Sequence, residues 1–361
     1  MLTPAFHFNI LDDFVKTIRR HAEFLISDLE ENPVDHLVCD TMQEITFLSL
    51  CETSFNTTFE SRAAYEPFFG AMYQINMALL NKGLSYSGQI WWIWEKTAAG
   101  KSYKEGMAKL REFVLGLVAE RRKALDEGRT ELHNGKRGFL DLMVLEQKEK
   151  GELTEDQMVG ECNTILLAGQ GTTTGTISFC LAYLCEFDEW QEKLHTEIME
   201  QLAGRDISEL DASNLPLMNM VIKETLRLQP PASLVGRKLS QPLTTGGYTL
   251  PAGSNVDIGI YHIHRDPENW EGDVEKFDPY RFTPEKTKAR NPYSYIPFSA
   301  GPRNCVGQRF AQMELRILLS YMIYNFKFSS TKRMGKELVR FVNDLTPTPG
   351  PDFRVTFTKR A

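Results

Sequence analysis

A chain of 361 residues, 42% of them hydrophobic and 25% charged, is long enough for one large globular domain or two ordinary ones. A formal charge of −7 argues against general nucleic-acid binding. No run of 18 uninterrupted apolar residues is present, and the six cysteines (Cys39, Cys51, Cys162, Cys180, Cys185 and Cys305) form no C-x-x-C pair, which argues against a spanning helix and against a zinc site.

Apolar periodicity predicts helices over 5–29, 35–53, 61–81 and 101–127. Between the last two lies Ile90-Trp-Trp-Ile-Trp94, after Leu84-Ser-Tyr-Ser-Gly. Clustered Trp91, Trp92 and Trp94 suit a membrane interface or binding surface, and they suit a core equally well. Residues 128–138 read as a solvated loop. Further helices are predicted over 155–186, 188–203 and 215–228. The first of these has a start signal: Thr154 and Gln157 fit a capping box, and Leu153 with Met158 fits a hydrophobic staple. From Ile165 to Leu184 it is apolar on most faces and is expected to run through the core.

After Pro230 the texture changes to short strands at Leu234–Leu239, Tyr248–Leu250, Asn255–Ile260 and Phe353–Phe357, with turns at Gly246-Gly247 and Pro251-Ala-Gly253. Residues 277–302 read as a long packed coil, and a helix follows from Gln308. The expected class is mainly α with a small β-rich part.

Four groups of residues point to chemistry. Cys305 lies in Phe298-Ser-Ala-Gly301-Pro-Arg303-Asn-Cys305-Val-Gly307, just ahead of a helix. Free N–H groups and the positive dipole end of a helix N-terminus favour a thiolate. Gly301 permits a bend, and Gly307 is expected to let backbone approach the sulfur with no Cβ in the way. Glu224 and Arg227, at i, i+3, share a helix face, and Arg281 of Phe277-Asp-Pro279-Tyr-Arg281-Phe282 is expected to join them in a buried charge network. Ala168-Gly169-Gln170-Gly171-Thr172-Thr173 places two glycines inside a helix, at about 1 kcal/mol each relative to alanine. That expense implies a kink or the close approach of something flat. Thr172 either bonds a backbone carbonyl or faces a reaction centre. Arg237 is a strand-end charge or a carboxylate partner.

The cysteine segment resembles the haem-binding signature of the cytochrome P450 superfamily, F-x-x-G-x-R-x-C-x-G, with no departure at a fixed position. Glu224 to Arg227 resembles that family's E-x-x-R motif, 279–282 its P-x-R-F segment, and 168–173 its A-G-x-(D/E)-T-T motif. The finer likeness, at Leu2-Thr-Pro-Ala-Phe-His-Phe, Cys51-Glu-Thr and Tyr295-Ile-Pro-Phe-Ser-Ala-Gly, is to the animal fatty-acid ω-hydroxylase group (family four). The resemblance implies a single haem-thiolate monooxygenase domain over 1–361. Cys305 would ligate the iron of haem b, and its thiolate would push electron density toward O–O cleavage. Thr172 would lie over the iron and steer protons toward dioxygen. Arg237 and Arg303 would hold the propionates, and Phe298, Gly307 and Gly169 would line the cofactor. Glu224, Arg227 and Arg281 would brace the coil that carries the cysteine loop. Residues 231–236 and the turn near Leu345-Thr346-Pro347 would line a cavity for a lipophilic substrate. Implied partners are an NADPH-dependent cytochrome reductase, docking on the cysteine side near Arg309, and the endoplasmic reticulum membrane, touched through Trp91, Trp92 and Trp94.

Two departures follow. Gly171 stands where the family usually has a carboxylate, so proton delivery would need water, Gln170 or another donor. Ala168 stands where some members esterify haem through a glutamate, so no ester link is expected. The chain is also expected to lack the anchor, first sheet strands and haem-covering helices that precede Leu2 in the family, which would expose a sheet edge. A peroxide-rearranging haem-thiolate enzyme and an inactive truncated haem-binding or interaction protein are the alternatives.

Overall fold

The computed structural model describes residues 8–34, 36–129, 138–151, 153–334, 346–350 and 353–360, with the side chains of 8–13 left out. Its elements run α1 (Phe8–Glu31), β1 (His36–Leu37), α2 (Val38–Phe55), α3 (Arg62–Leu84), α4 (Trp91–Trp94), α5 (Ala98–Asp126), α6 (Phe139–Lys150), α7 (Glu155–Glu186), α8 (Asp188–Leu202) and α9 (Pro216–Leu228). Then come β2 (Leu234–Lys238), β3 (Leu243–Thr245), β4 (Tyr248–Leu250), β5 (Asn255–Gly259), α10 (Ile260–Ile263), α11 (Pro284–Ala289), α12 (Gln308–Asn325), β6 (Phe326–Ser329) and β7 (Arg354–Lys359).

α7 is the axis. It opens on the expected capping box: the Gln157 N–H donates to Thr154 Oγ1 at 3.2 Å, and the Thr154 N–H donates to Gln157 Oε1 at 2.9 Å. Its second half has no solvated face, with Ile177, Cys180, Leu181 and Leu184 fully buried. α2, α5, α8, α9 and α12 pack around it. α1 lies along α12, where Phe14 and Phe310 meet edge to face at 5.9 Å. α9 starts with Pro216 in its first turn, and its first N–H groups, Leu217 and Met218, donate to the Glu197 carboxylate of α8 at 2.6 and 3.0 Å.

Three small antiparallel sheets flank this bundle. One has the order β1-β7-β6, and β2-β5 and β3-β4 are two-stranded. Gln191 of α8 ties the first to the bundle. Its buried amide donates to the Leu184 and Phe328 carbonyls, both at 2.8 Å, and accepts from the Phe328 N–H at 3.0 Å.

Element boundaries follow the sequence reading to within a few residues, and three differences have local causes. α6 adds a helix between the expected loop and the 155–186 helix. It forms because Asp141 accepts from the Gly138 N–H at 3.1 Å and pairs with buried Arg121 of α5 at 2.5 Å, a contact with no local spacing signal. β3 and β6 are added by pairing with β4 and β7, which supplies what their short runs cannot. Trp94 is fully buried and donates to Asn81 Oδ1 at 3.3 Å, so the expected contact of Trp94 with a membrane is corrected to core packing. Trp91 and Trp92 are exposed, beside exposed Leu84 and Tyr86. Most of the expected loop at 128–138, most of the Leu2 to Phe8 segment, and Leu345 lie outside the described residues. Among the described residues, no helix is long and apolar enough to cross a membrane.

Candidate functional site

The segment before α12 is held as a tight loop. The Tyr295 hydroxyl donates to the Lys223 carbonyl at 3.1 Å, and the Ile296 N–H donates to His264 Nε2 at 2.9 Å. The Ser299 N–H returns to the Ile296 carbonyl, and the Cys305 N–H to the Phe298 carbonyl, both at 2.9 Å. Gly301 has φ +77°, a left-handed conformation in which a side chain would be strained, so the bend expected there is present. Cys305 therefore sits just before the N-terminus of α12. The backbone N–H groups of Gly307 and Gln308 are directed at its sulfur; desolvation pushes the thiol up and these two donors pull against it. The expected role of Gly307 is weaker than spacing implied, because a Cβ there would lie 3.9 Å from Cys305 Sγ, an ordinary contact.

Cys305 opens into a cavity of about 330 Å³ between α7, α12, the cysteine loop and residues 231–235. Thr172, Gly169, Phe298, Arg303 and Gly307 line it with Cys305, so six of the predicted residues meet in one space. The rest of the wall is mostly apolar. Pro231, Ala232 and Val235 contribute as expected, whereas Thr346 faces the opposite side of α7, so the lining role expected of that turn is corrected. Arg237 reaches the rim through Ser299, donating to its Oγ at 3.3 Å. Among the described residues, neither Arg237 nor Arg303 pairs with a carboxylate.

The α7 wall is shaped by small residues. Thr172 Oγ1 donates to the Ala168 carbonyl at 2.8 Å, so its hydroxyl is held by its own helix. A Cβ on Gly169 would meet Leu50 Cδ2 at 2.9 Å, and one on Gly171 would meet Thr346 Oγ1 at 3.2 Å. One on Gly175 would meet the Pro347 carbonyl oxygen at 2.7 Å, a backbone atom that cannot yield. The close approach expected at 169 and 171 is thus made by protein.

Behind the loop lies the charge network. Glu224 and Arg227 have no exposed surface, and Arg227 Nε and Nη2 donate to the two Glu224 oxygens at 2.7 and 2.8 Å. Glu224 also accepts from the Asp278 N–H at 2.8 Å and has Arg281 Nε at 3.6 Å. Arg227 Nη1 donates to the carbonyls of His264 and Val274 at 3.0 and 2.8 Å. A buried ion pair is tolerable only when its remaining donors and lone pairs are satisfied in this way.

Three neighbours stand outside the sequence reading. His264 is fully buried; desolvation lowers its imidazole to about 4, so it is neutral and can accept from Ile296, coupling the network to the cysteine loop. Glu314 is a buried carboxyl on α12. Gly175 seats the 346–348 strap. Only Gly175 stood in a readable pattern, four residues after Gly171, the small-residue spacing of a helix groove.

The site fits haem. A thiol at a helix N-terminus, an apolar space beside it, and two arginines at its rim without protein carboxylates match an iron, a flat ring and two propionates.

A family model described as Cytochrome P450 matches residues 1–352. The chain is 31% identical over 347 residues to an ultra-long-chain fatty acid omega-hydroxylase of Homo sapiens, covering 91% of this chain and 64% of that protein. It is 32% identical to leukotriene-B4 omega-hydroxylase 3 of Mus musculus, covering 91% and 65%, and 31% identical to cytochrome P450 4V2 of Rattus norvegicus, covering 100% and 71%. The first two of these relatives are therefore spanned over slightly less than two-thirds of their length. The fold superposes on the crystal structure of the cytochrome P450DA heme domain with a TM-score of 0.81 at 24% identity, over 100% of this chain and 76% of that one. With the cysteine loop, the charge network and the α7 wall arranged around one cavity, and the family match running from residue 1 to 352, this chain belongs to the cytochrome P450 family.

Proposed function

We propose that the chain forms a single haem-thiolate domain of a monooxygenase, which inserts one oxygen atom from dioxygen into a lipophilic substrate with electrons from an NADPH-dependent reductase. The observation that carries this is Cys305, directed into an apolar cavity from the start of α12 and facing the Thr172 wall. When bound, haem supplies the iron at which dioxygen is reduced and split.

Cys305 ligates that iron as its thiolate. The Gly307 and Gln308 N–H groups favour the anion, and iron binding releases the thiol proton. Arg237 and Arg303 hold the propionates, and Phe298, Gly169 and Gly307 line the ring. Ala168 also lines the cavity and offers no carboxylate, so the group is held without an ester link. Thr172 Oγ1 presents a hydroxyl beside the reacting centre. Its proton is engaged with the Ala168 carbonyl, leaving its lone pairs to accept. Glu224, Arg227 and Arg281 act as positioning residues for the loop.

The apolar wall suits a hydrocarbon chain, and relatives named for fatty acid and leukotriene omega-hydroxylation make a long-chain carboxylic acid the favoured substrate class. Exposed Trp91 and Trp92, with Lys82 4.4 Å from the Trp91 ring centre, support contact with the endoplasmic reticulum membrane. The test is to express this chain, add haem, reduce it and bind carbon monoxide. A red-shifted thiolate Soret band is expected, and Cys305→Ala abolishes it. Failure of the parent to take up haem overturns the reading.

A further inference from the structure

The charge around Trp91 and Trp92 bears on which lipids a membrane contact there would select. The whole chain carries a formal charge of −7, yet residues 82–104 hold four lysines and a single carboxylate, Glu95. Lys104 Nζ pairs with Glu95 at 2.9 Å. Among the described residues, Lys82, Lys96 and Lys101 pair with no carboxylate. Three ammonium groups are therefore uncompensated on one short stretch of an acidic protein.

Two of the three are held over aromatic rings. Lys82 Nζ lies 4.4 Å from the Trp91 ring centre and 5.4 Å from that of Trp94, and Lys96 Nζ lies 5.8 Å from that of Trp92. A ring face holds a cation without neutralising it, so the charge stays available to an anion. The rings stand on a fixed base. Trp94 is buried, and its ring centre lies 5.4 Å from that of Trp91 and 5.6 Å from that of Tyr103 on α5. The backbone packs closely on both sides: a Cβ on Gly88 would overlap the Lys82 carbonyl oxygen, and one on Gly100 that of Trp94. Leu84, Tyr86, Ile90, Trp91 and Trp92 are left exposed on this shelf. A symmetric dimer through it would bring like charges together, because each copy presents the same patch. Tryptophan and tyrosine beside unpaired lysines match the layer where lipid headgroups meet acyl chains.

We propose that the 84–92 shelf is a bilayer-docking surface selective for anionic phospholipids. The exposed rings enter the headgroup layer, and Lys82, Lys96 and Lys101 meet the negative charges of the lipids. The proposal rests on the membrane contact read at Trp91 and Trp92 and adds the lipid class that the contact prefers. The rings alone favour neutral and acidic bilayers equally, whereas each lysine near an acidic surface adds about 5-fold in affinity.

The test is co-sedimentation of the haem-loaded protein with vesicles of phosphatidylcholine alone, or with about one-third phosphatidylserine. The parent is expected to bind the acidic vesicles roughly 100-fold more tightly, the product of three such contributions. Salt at about 1 M, where charges are screened beyond about 3 Å, removes the preference. Lys101→Ala alone costs about 5-fold on acidic vesicles and nothing on neutral ones. Replacing all three lysines by alanine equalises the two vesicles, and replacing all three by arginine keeps the preference. Trp91→Ala with Trp92→Ala weakens binding to both vesicles by the same factor. Equal binding of the parent to both vesicles, or a triple alanine variant that still prefers the acidic one, overturns the lipid selection and leaves the membrane contact standing. Binding of the parent to neither vesicle overturns the membrane contact itself.

Discussion

Two carboxylates lie fully buried on the helices that flank the cysteine loop, and the protein treats them in opposite ways. Glu224 on α9 takes two hydrogen bonds from Arg227, one from the Asp278 N–H, and the nearby charge of Arg281. Among the described residues, Glu314 on α12 pairs with no arginine, and its Oε1 has no hydrogen-bond partner. Burial pushes the Glu314 carboxyl up to about 8, so it is protonated at neutral pH. Burial raises the Glu224 carboxyl as well, but there the Arg227, Asp278 and Arg281 donors pull it back toward the anion, a set of partners that Glu314 lacks among the described residues. The difference concerns function: the brace holds the coil leading to Cys305, while Glu314 sits among cavity-lining Ala311 and Leu315 on α12.

The comparison is broken most directly by removing the donors from the first site. Arg227→Ala leaves Glu224 buried beside a void, with the carbonyls of His264 and Val274 also losing their donor. Removing one partner of a buried pair costs about 3–5 kcal/mol. Urea denaturation is expected to show that loss, and Arg227→Lys to recover little of it, because an ammonium cannot serve two carboxylate oxygens and the carbonyls of His264, Val274 and Lys276 from one plane. A loss below about 1 kcal/mol, the size of an exposed pair, would refute the brace.

A smaller effect tests the same side through pH. His264 has its imidazole lowered from 6.5 to about 4 by burial. Between those values the unfolded chain binds the proton and the native one does not, so stability falls as pH drops from 6.5 toward 4. At 1.36 kcal/mol per unit, this is about 3 kcal/mol. The parent is expected to lose about that much relative to His264→Gln over this window, measured by urea midpoints at each pH. No change in the difference would place His264 in a solvated setting and uncouple it from the cysteine loop.

The two carboxylates also differ in how far the sequence reveals them. Glu224 and Arg227 are readable because three residues of helix put them on one face, and Arg281 follows in a recognisable segment. Cys305, Phe298, Gly301 and Arg303 are readable because the turn itself is local: the bonds that close it, Ser299 to Ile296 and Cys305 to Phe298, run between residues a few positions apart. The 155–186 helix shows itself through Thr154 and Gln157 for the same reason. What stayed hidden is set by distance along the chain. His264 meets Ile296 across 32 residues, and Asp141 meets Arg121 across 20. Gly171 signals close approach, but only the fold reveals that the visitor is the 346–348 strap, which Gly175 seats as well. Trp94 is indistinguishable from Trp91 and Trp92 in sequence, and only packing separates them.

Glu314 provides the last and smallest test, of opposite sign to that of His264. Its native carboxyl titrates near 8 against 4.5 for the free group, so the native state binds the extra proton between those values. Stability is then fully present below about 4.5 and is lost as pH rises through 8. From pH 6.5 to 8, His264 is neutral in the native state and only its residual unfolded-state protonation remains, worth about 0.4 kcal/mol, so Glu314 dominates the change. The parent is expected to lose about 2 kcal/mol over that interval relative to Glu314→Gln, which keeps the size and cannot ionise. Below pH 6.5 the same variant should unmask the acid loss from His264, because in the parent the two slopes oppose each other down to about 4.5. If Glu314→Gln shows the parent's pH profile throughout, the α12 carboxylate has found a partner as effective as Arg227, and the contrast between the two sites collapses.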